Sequence, residues 1–509
     1  MLVATVLGSG VAFLDSTVVN VALPTIGKDL HATIAELQWV VNAYTLTLAG
    51  MILLGGSLGD RYGRRRVFVI GVIWFAAASA LCAVAADIQM LIAARALQGI
   101  GGALLTPGSL AIIQASFVRE DRPRAVGAWS GLGGIAGAIG PFLGGWLVST
   151  AGWRWVFLIN LPLTAVVVAV AVRHVPETRD ETEQGGFDVR GAVLAALALA
   201  GVTYALTEAP QPGASKPAVI VSAVLGVACA AGFVLTERER TRTGDPEAMM
   251  PLDVFASREF TAVNVVTFVV YGGMGVVFFL FVVALQVVAG FSPIAAGTAL
   301  IPTTVLMLLL SSRAGALAQR IGPRIPMTAG LTVAGAGMVL MTRIGPHTSY
   351  VADVLPAVVV FALGLCAVVA PLTATVLATA DVRHAGVASG VNNAVARAAS
   401  LLFVAAIPPL AGLTGDVQAH PLVFLHGFRI AILIGATCLF LGAVLSGLTI
   451  RDDVLRAVPG RPEPECKVNC AVGAPPLEPG ERKVLTVMTP APPGSPGTPP
   501  NPGTRKHEA

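Results

Sequence analysis

Charged side chains are scarce in this chain: Asp, Glu, Lys and Arg supply 12% of 509 residues, about half the share of an ordinary soluble domain. That excludes a water-soluble globular protein of this length. The seven His and six Cys form no recognisable metal cluster. Neither a phosphate-binding loop nor a nucleophile–base motif occurs, so nothing in the sequence points to an enzyme or to a cofactor. The formal charge is only +4 and is accounted for by connecting loops, which removes the case for a nucleic-acid partner.

What fills the chain is apolar. Hydrophobic residues make up 55% of it, and the mean hydropathy is +0.77. Runs of about 20 residues, enough to cross ~30 Å of hydrocarbon, recur along nearly the whole length. They must be helices, because lipid offers a backbone no partner outside its own segment. The runs place helices near residues 2–24, 38–58, 67–86, 88–112, 124–149, 153–172, 189–208, 217–235, 259–288, 294–312, 325–341, 352–379, 385–412 and 427–449. The expected class is an all-α, polytopic membrane protein with fourteen spans.

The loops give its orientation. One side carries Arg61, Arg64, Arg65, Arg66, Arg119, Arg122, Arg124, Arg173, Arg179, Arg190, Arg238, Arg240, Arg242, Arg258, Arg320, Arg324 and Arg383; the other has only Lys28, Arg154, Lys216 and Arg343. The positive-inside rule therefore puts both termini in the cytoplasm. No cleavable signal is evident, and Met1 abuts the first run so closely that a few cytoplasmic residues are expected to precede it. From Arg451 onward 13 of the 34 Pro fall within 59 residues, a composition expected to stay disordered. Cys82, Cys229, Cys366 and Cys438 lie in apolar runs as small fillers. Cys466 and Cys470 form a C-x3-C in the tail, read as a bystander pair rather than a metal or redox site.

An internal repeat organises the spans. GSLGDRYGRR (Gly56 to Arg65) follows helix 2 and GALAQRIGPR (Gly315 to Arg324) follows helix 10, an offset that also lays Gly127, Ser130 and Gly131 on Gly386, Ser389 and Gly390. Helices 1–6 (residues 1–172) and 9–14 (259–450) are thus expected to be related six-helix halves. Residues 173–258 supply a linker with two inserted helices, and 451–509 a Pro-rich cytoplasmic tail. Duplicated halves with a site between them at mid-membrane are the architecture of alternating-access carriers.

The Gly56–Arg65 stretch resembles the loop signature of the major facilitator superfamily. The wider set resembles its fourteen-helix drug:proton antiporter branch, the bacterial multidrug and antibiotic exporters: LDSTVVNVALP in helix 1, RALQGIGGA in helix 4, GAIGPFLGG in helix 5 and WRWVFLINLP entering helix 6. The resemblance spans about residues 1–450. It implies a proton-driven exporter of amphipathic drugs, antibiotics or metabolites in the bacterial inner membrane, with protons as coupling ion and no other cofactor. In that family the helix 5 stretch, here Gly137, Gly140, Pro141, Gly144 and Gly145, marks exporters.

Individual residues carry the chemistry expected of such a carrier. Asp15 lies ~18 Å in from one end of helix 1 and Arg95 ~10 Å in from the opposite end of helix 4, nearly the same depth. Charges there are functional candidates by default, and the pair is read as the proton-coupling site. Gly56, Asp60, Arg61, Gly63, Arg64 and Arg65 read as a conformational latch, weaker in the second copy because Gln319 and Pro323 replace the acid and a base. Asn42, Tyr44, Thr45, Gln114, Asn264 and Arg397 are polar groups able to line a cavity. Arg313 is expected only to snorkel. A proton-coupled importer and a non-transporting membrane sensor remain alternatives, and substrate and oligomeric state stay open.

Overall fold

Apolar runs become helices where local hydrogen bonding gives them ends. The run containing Asn42 starts at Ile34, because Thr33 and Glu36 form a reciprocal capping box that satisfies two otherwise orphaned N–H groups. It stops at Gly63, whose φ of +107° suits glycine and few other residues. The matching stop in the second copy is Gly322, at φ +91°. Ser257, Ser292 and Asp188 cap later helices more simply, each side chain accepting one backbone N–H of the first turn.

The computed structural model describes residues 2–116, 129, 139–179, 188–211, 213–243, 252–379, 385–415 and 420–455, within a compact unit Met1–Arg456. Its helices are α1 (Leu2–Asp29), α2 (Ile34–Tyr62), α3 (Arg64–Ala83), α4 (Ile88–Ser116), α5 (described over 139–150), α6 (Trp155–His174), α7 (Val189–Glu208) and α8 (Lys216–Thr243). They continue as α9 (Arg258–Val287), α10 (Pro293–Ile321), α11 (Arg324–Met341), α12 (Leu355–Thr379), α13 (Ala385–Leu410) and α14 (Pro421–Thr449). Each of the fourteen expected stretches contains described helix. Among the described residues twelve are long and apolar enough to cross a membrane, thirteen when the two parts of α2 count as one span. The protein is all-helical among the described residues.

Helix pairings recur along the chain. α4 packs between α2 and α3, and α12 between α10 and α11; α1 and α3 each meet α6, and α9 and α11 each meet α14. Glycines set the spacing in both sets. Gly71 and Gly101 bring α3 against α4, while Gly330, Gly337 and Gly364 bring α11 against α12. Close approach of this kind is how helices associate in lipid, where no hydrophobic drive separates helix from solvent. α7 and α8 pair with each other, and α7 also lies against both α2 and α13.

The two ends of the bundle differ. At the end bearing the α1–α2 and α13–α14 turns, hydrogen bonds cross between the two sets: Gln38 Nε2 donates to the Val404 carbonyl (2.6 Å), Gln286 Nε2 to Val21 (3.0 Å) and the Ile34 amide to Gly415 (3.3 Å). At the same end a Cβ on Gly145 of α5 would stand 2.6 Å from the Ile294 Cα of α10. The halves are therefore sealed together there.

Candidate functional site

Five helices bring polar groups to one buried point. α4 lies close to α2 because Gly99 faces the Tyr44 carbonyl with no room for a side chain. That approach lets Arg95, one turn earlier, donate from Nε to the Val40 carbonyl (3.1 Å) and set its guanidinium 4.3 Å from the centre of the Tyr44 ring. Arg95 Nη1 then reaches Asp15 Oδ2 of α1 at 2.6 Å. Asp15 is 0% and Arg95 1% exposed.

The other carboxylate oxygen is held as firmly. Asp15 Oδ1 accepts from Gln98 Nε2 of α4 and from Asn160 Nδ2 of α6, both at 2.9 Å. The same two amide groups donate to Ser79 Oγ of α3 at 2.7 and 2.9 Å. Gln98 Oε1 in turn accepts from Arg95 Nη1 at 2.6 Å. Asn160 reaches this point because α6 is interrupted at Ile159, between Trp155–Leu158 and Asn160–His174. Every bond at the carboxyl is one it accepts, which makes Asp15 in this arrangement an acceptor-only carboxylate. Buried ion pairs persist when further hydrogen bonds satisfy their lone pairs, and here Oδ1 accepts two such bonds beside the Oδ2–Arg95 contact.

Depth counting along the helices anticipated that Asp15 and Arg95 share a level; the structure puts them in direct contact. Ser79 and Asn160 were not singled out, and Gln98 only as a neighbour of Arg95. The available signal was Asn160 itself, an amide inside the apolar VFLINLPL run.

A cavity of about 620 Å³ lies among α1, α5, α9, α10 and α12, a volume typical of small-molecule sites. Its wall is chiefly apolar, with the hydroxyls of Thr17, Thr303, Thr304, Ser311 and Ser312 and the Asn20 amide, and no charged group among the described residues. Along α10 it runs from Leu300 to Gly315, about 22 Å, away from the sealed end. One turn back along α1, Ser9, Phe13 and Ser16 bound a second pocket with Tyr44, Thr106 and Arg397.

Of the polar residues expected to line a cavity, Tyr44 and Arg397 do so. Asn264 does not: its Oδ1 accepts from Asn392 of α13 (3.1 Å) and its Nδ2 donates to the Phe260 carbonyl (2.9 Å), which makes it a strut between α9 and α13. Thr45 turns its hydroxyl back on the Val41 carbonyl, as helical threonines do when no better partner is near. Asn42 is buried with both amide atoms unpartnered. The Gln114 side chain lies outside the described residues, as do Gly137 and the repeat residues Gly127, Ser130 and Gly131.

The Arg-rich turn after α2 is tied to itself and to the start of the linker that follows α6. Asp60 Oδ1 pairs with Arg64 Nε at 2.6 Å. The Arg65 amide donates to Glu177 Oε1 at 3.1 Å, its Nη1 to the Val175 carbonyl at 3.1 Å, and the Arg64 amide to Thr178 at 2.9 Å. Glu177 also fills the space where Gly63 would carry a Cβ. Gly56 lies over Pro107 of α4, and Arg61 is exposed beside the Tyr62 ring. In α5, Gly140 and Gly144 admit Thr17 and Val18 of α1, and the Pro141 carbonyl abuts Gly297 of α10.

Known families and proteins resemble this chain. The family model described as Major Facilitator Superfamily matches residues 5–405. Puromycin resistance protein pur8 of Streptomyces alboniger is 34% identical over 454 residues, 86% of this chain and 88% of that one. The tetracenomycin C resistance and export protein of Streptomyces glaucescens is 33% identical over 418 residues, 82% and 76% of the two chains. Among solved structures, a bacterial homolog to the human lysosomal transporter Spinster, in an inward-facing and occupied conformation, superposes with a TM-score of 0.60 at 16% identity, covering 90% of this chain and 98% of that one.

Proposed function

Since the chain belongs to the major facilitator superfamily, and is thus a multi-pass membrane transporter and not an enzyme, we propose that it is a proton-driven antiporter exporting amphipathic small molecules from a bacterial cytoplasm. The observation that carries the reading is the Asp15–Arg95 pair, sealed among Gln98, Asn160 and Ser79, one to two turns along α1 from an uncharged cavity of drug size. Its relatives named for resistance to antibiotics support the substrate class.

In this reading the Arg-rich end faces the cytoplasm, and the sealed end faces out. The cavity then collects substrate from inside while Asp15 is ionised and paired with Arg95. When the halves rock and the outer seam opens, water reaches Asp15, a proton neutralises it and the pair loosens as substrate leaves. Return to the inward state delivers the proton. Coupling requires only that substrate favour the ionised carboxylate and the proton favour the outward state. The Arg64–Asp60 and Arg65–Glu177 contacts hold the inner turn in the state seen here.

Energetics set the scale. With ~100 mV and one pH unit across the membrane, each inward proton releases about 2.3 plus 1.4 kcal/mol, enough for roughly 500-fold accumulation of a neutral substrate. An uncoupler added to cells whose ATP is held constant should abolish efflux. Undiminished efflux under those conditions refutes proton coupling.

A further inference from the structure

A second arginine lies at the same depth, half-buried and without an acid among the described residues. Arg397 lies 12 residues into α13, about 18 Å from its start, and points into the pocket bounded by Ser9, Phe13, Ser16, Tyr44 and Thr106 of the other half. Its Nε is buried and bonded to nothing, and it forms no hydrogen bond or ion pair with any described residue. The charged and phenolic groups that it senses are Tyr44 and Tyr271, neither of them a carboxylate. Arg95 makes the contrast plain. Its Nε is occupied by a carbonyl and its Nη1 by Asp15.

A guanidinium offers two parallel N–H donors along its Nε edge, a fork that fits the two oxygens of a carboxylate. Left free at mid-membrane, that edge is expensive to bury and is retained where a ligand completes it. The pocket admits little more than a water here, about 30 Å³, and its Ser16 stands one turn along α1 from Asn20, which lines the large cavity.

From this we infer that Arg397 is the anion-recognising group of the substrate site, and that preferred substrates are amphipaths bearing a carboxylate. The inference rests on the export reading above and narrows its substrate class. Tyr44, in contact with Arg95 and beside Arg397, is the wall common to the two sites.

A matched pair of dyes tests it. Rhodamine B carries a free carboxylate, and rhodamine 6G is a near-identical xanthene with that group esterified. Purified protein in detergent should bind rhodamine B about tenfold more tightly by fluorescence anisotropy, and be protected by it to a higher unfolding temperature. The second readout needs no variant. Arg397→Gln should abolish the preference by weakening rhodamine B alone, and Arg397→Lys should keep most of it. Equal binding of the two dyes by the parent, or a preference that survives Arg397→Gln, overturns the carboxylate assignment while leaving export intact. Failure of the parent to bind either dye counts against an amphipath cavity, and so against both readings.

Discussion

Removing one partner of the Asp15–Arg95 pair leaves the other charged, buried and uncompensated, at a cost of about 3–5 kcal/mol. Arg95→Gln alone should accordingly lower the unfolding temperature of purified protein markedly. Asp15→Asn combined with Arg95→Gln replaces both charges by amides that can still bond to Gln98, Ser79 and Asn160, and should recover most of that loss. Gradient-driven transport in liposomes should not recover with it, because no proton carrier remains. A double variant that pumps like the parent would reduce the pair to a structural one. This residue-level detail was only half legible beforehand. Charges in an apolar run announce themselves, and counting residues gives their depth. A neutral amide is a fainter mark than a charge: Asn160 stands out in its apolar run but names no partner, and counting cannot give the rotation of one helix against another.

Elements were more legible than side chains, since hydrophobic length dictates a span directly. The errors were at the ends. α2 begins at Ile34 rather than near 38 because its capping box precedes the apolar run. α10 pauses between Pro293–Thr298 and Ile301–Ile321, a break that hydropathy does not register. The turn after α2 was expected to use Asp60 among its arginines, and Asp60 meets Arg64; Glu177, 112 residues away from Arg65 along the chain, could not be assigned to it by pattern. The two copies of this turn differ in a way that can be tested. Gln319, at the place of Asp60, is exposed and makes no bond to a described residue. Asp60→Asn should therefore slow transport severalfold while Gln319→Ala changes it little, at equal membrane abundance. Equal effects of the two substitutions would show that the acid serves topology alone.

At the scale of the whole molecule, exchange between two states requires the sealed end to part. Gly145 of α5 has the Ile294 backbone of α10 within 2.6 Å of where a Cβ would stand, a distance that backbone cannot accommodate without moving. Gly145→Ala should hold the seam ajar. Spin labels at Ser149 and Ala295 should report a longer or broader distance than in the parent, with transport impaired. An unchanged distance would mean that the seam is not the gate.

α7 touches α2 and α13 together, with Trp39 Nε1 bonded to Glu208 at 2.9 Å and the Gly415 amide to Gln211 at 3.1 Å. It thus straddles the joint between the two halves. Its partner α8 turns Ile220, Val221, Val224, Leu225, Val227 and Leu235 outward, each more than half exposed. Any rocking that displaces α7 sweeps this row of side chains sideways through acyl chains. In the alternating-access reading, the inserted pair would have to carry this apolar row through the surrounding acyl chains each time the joint swings.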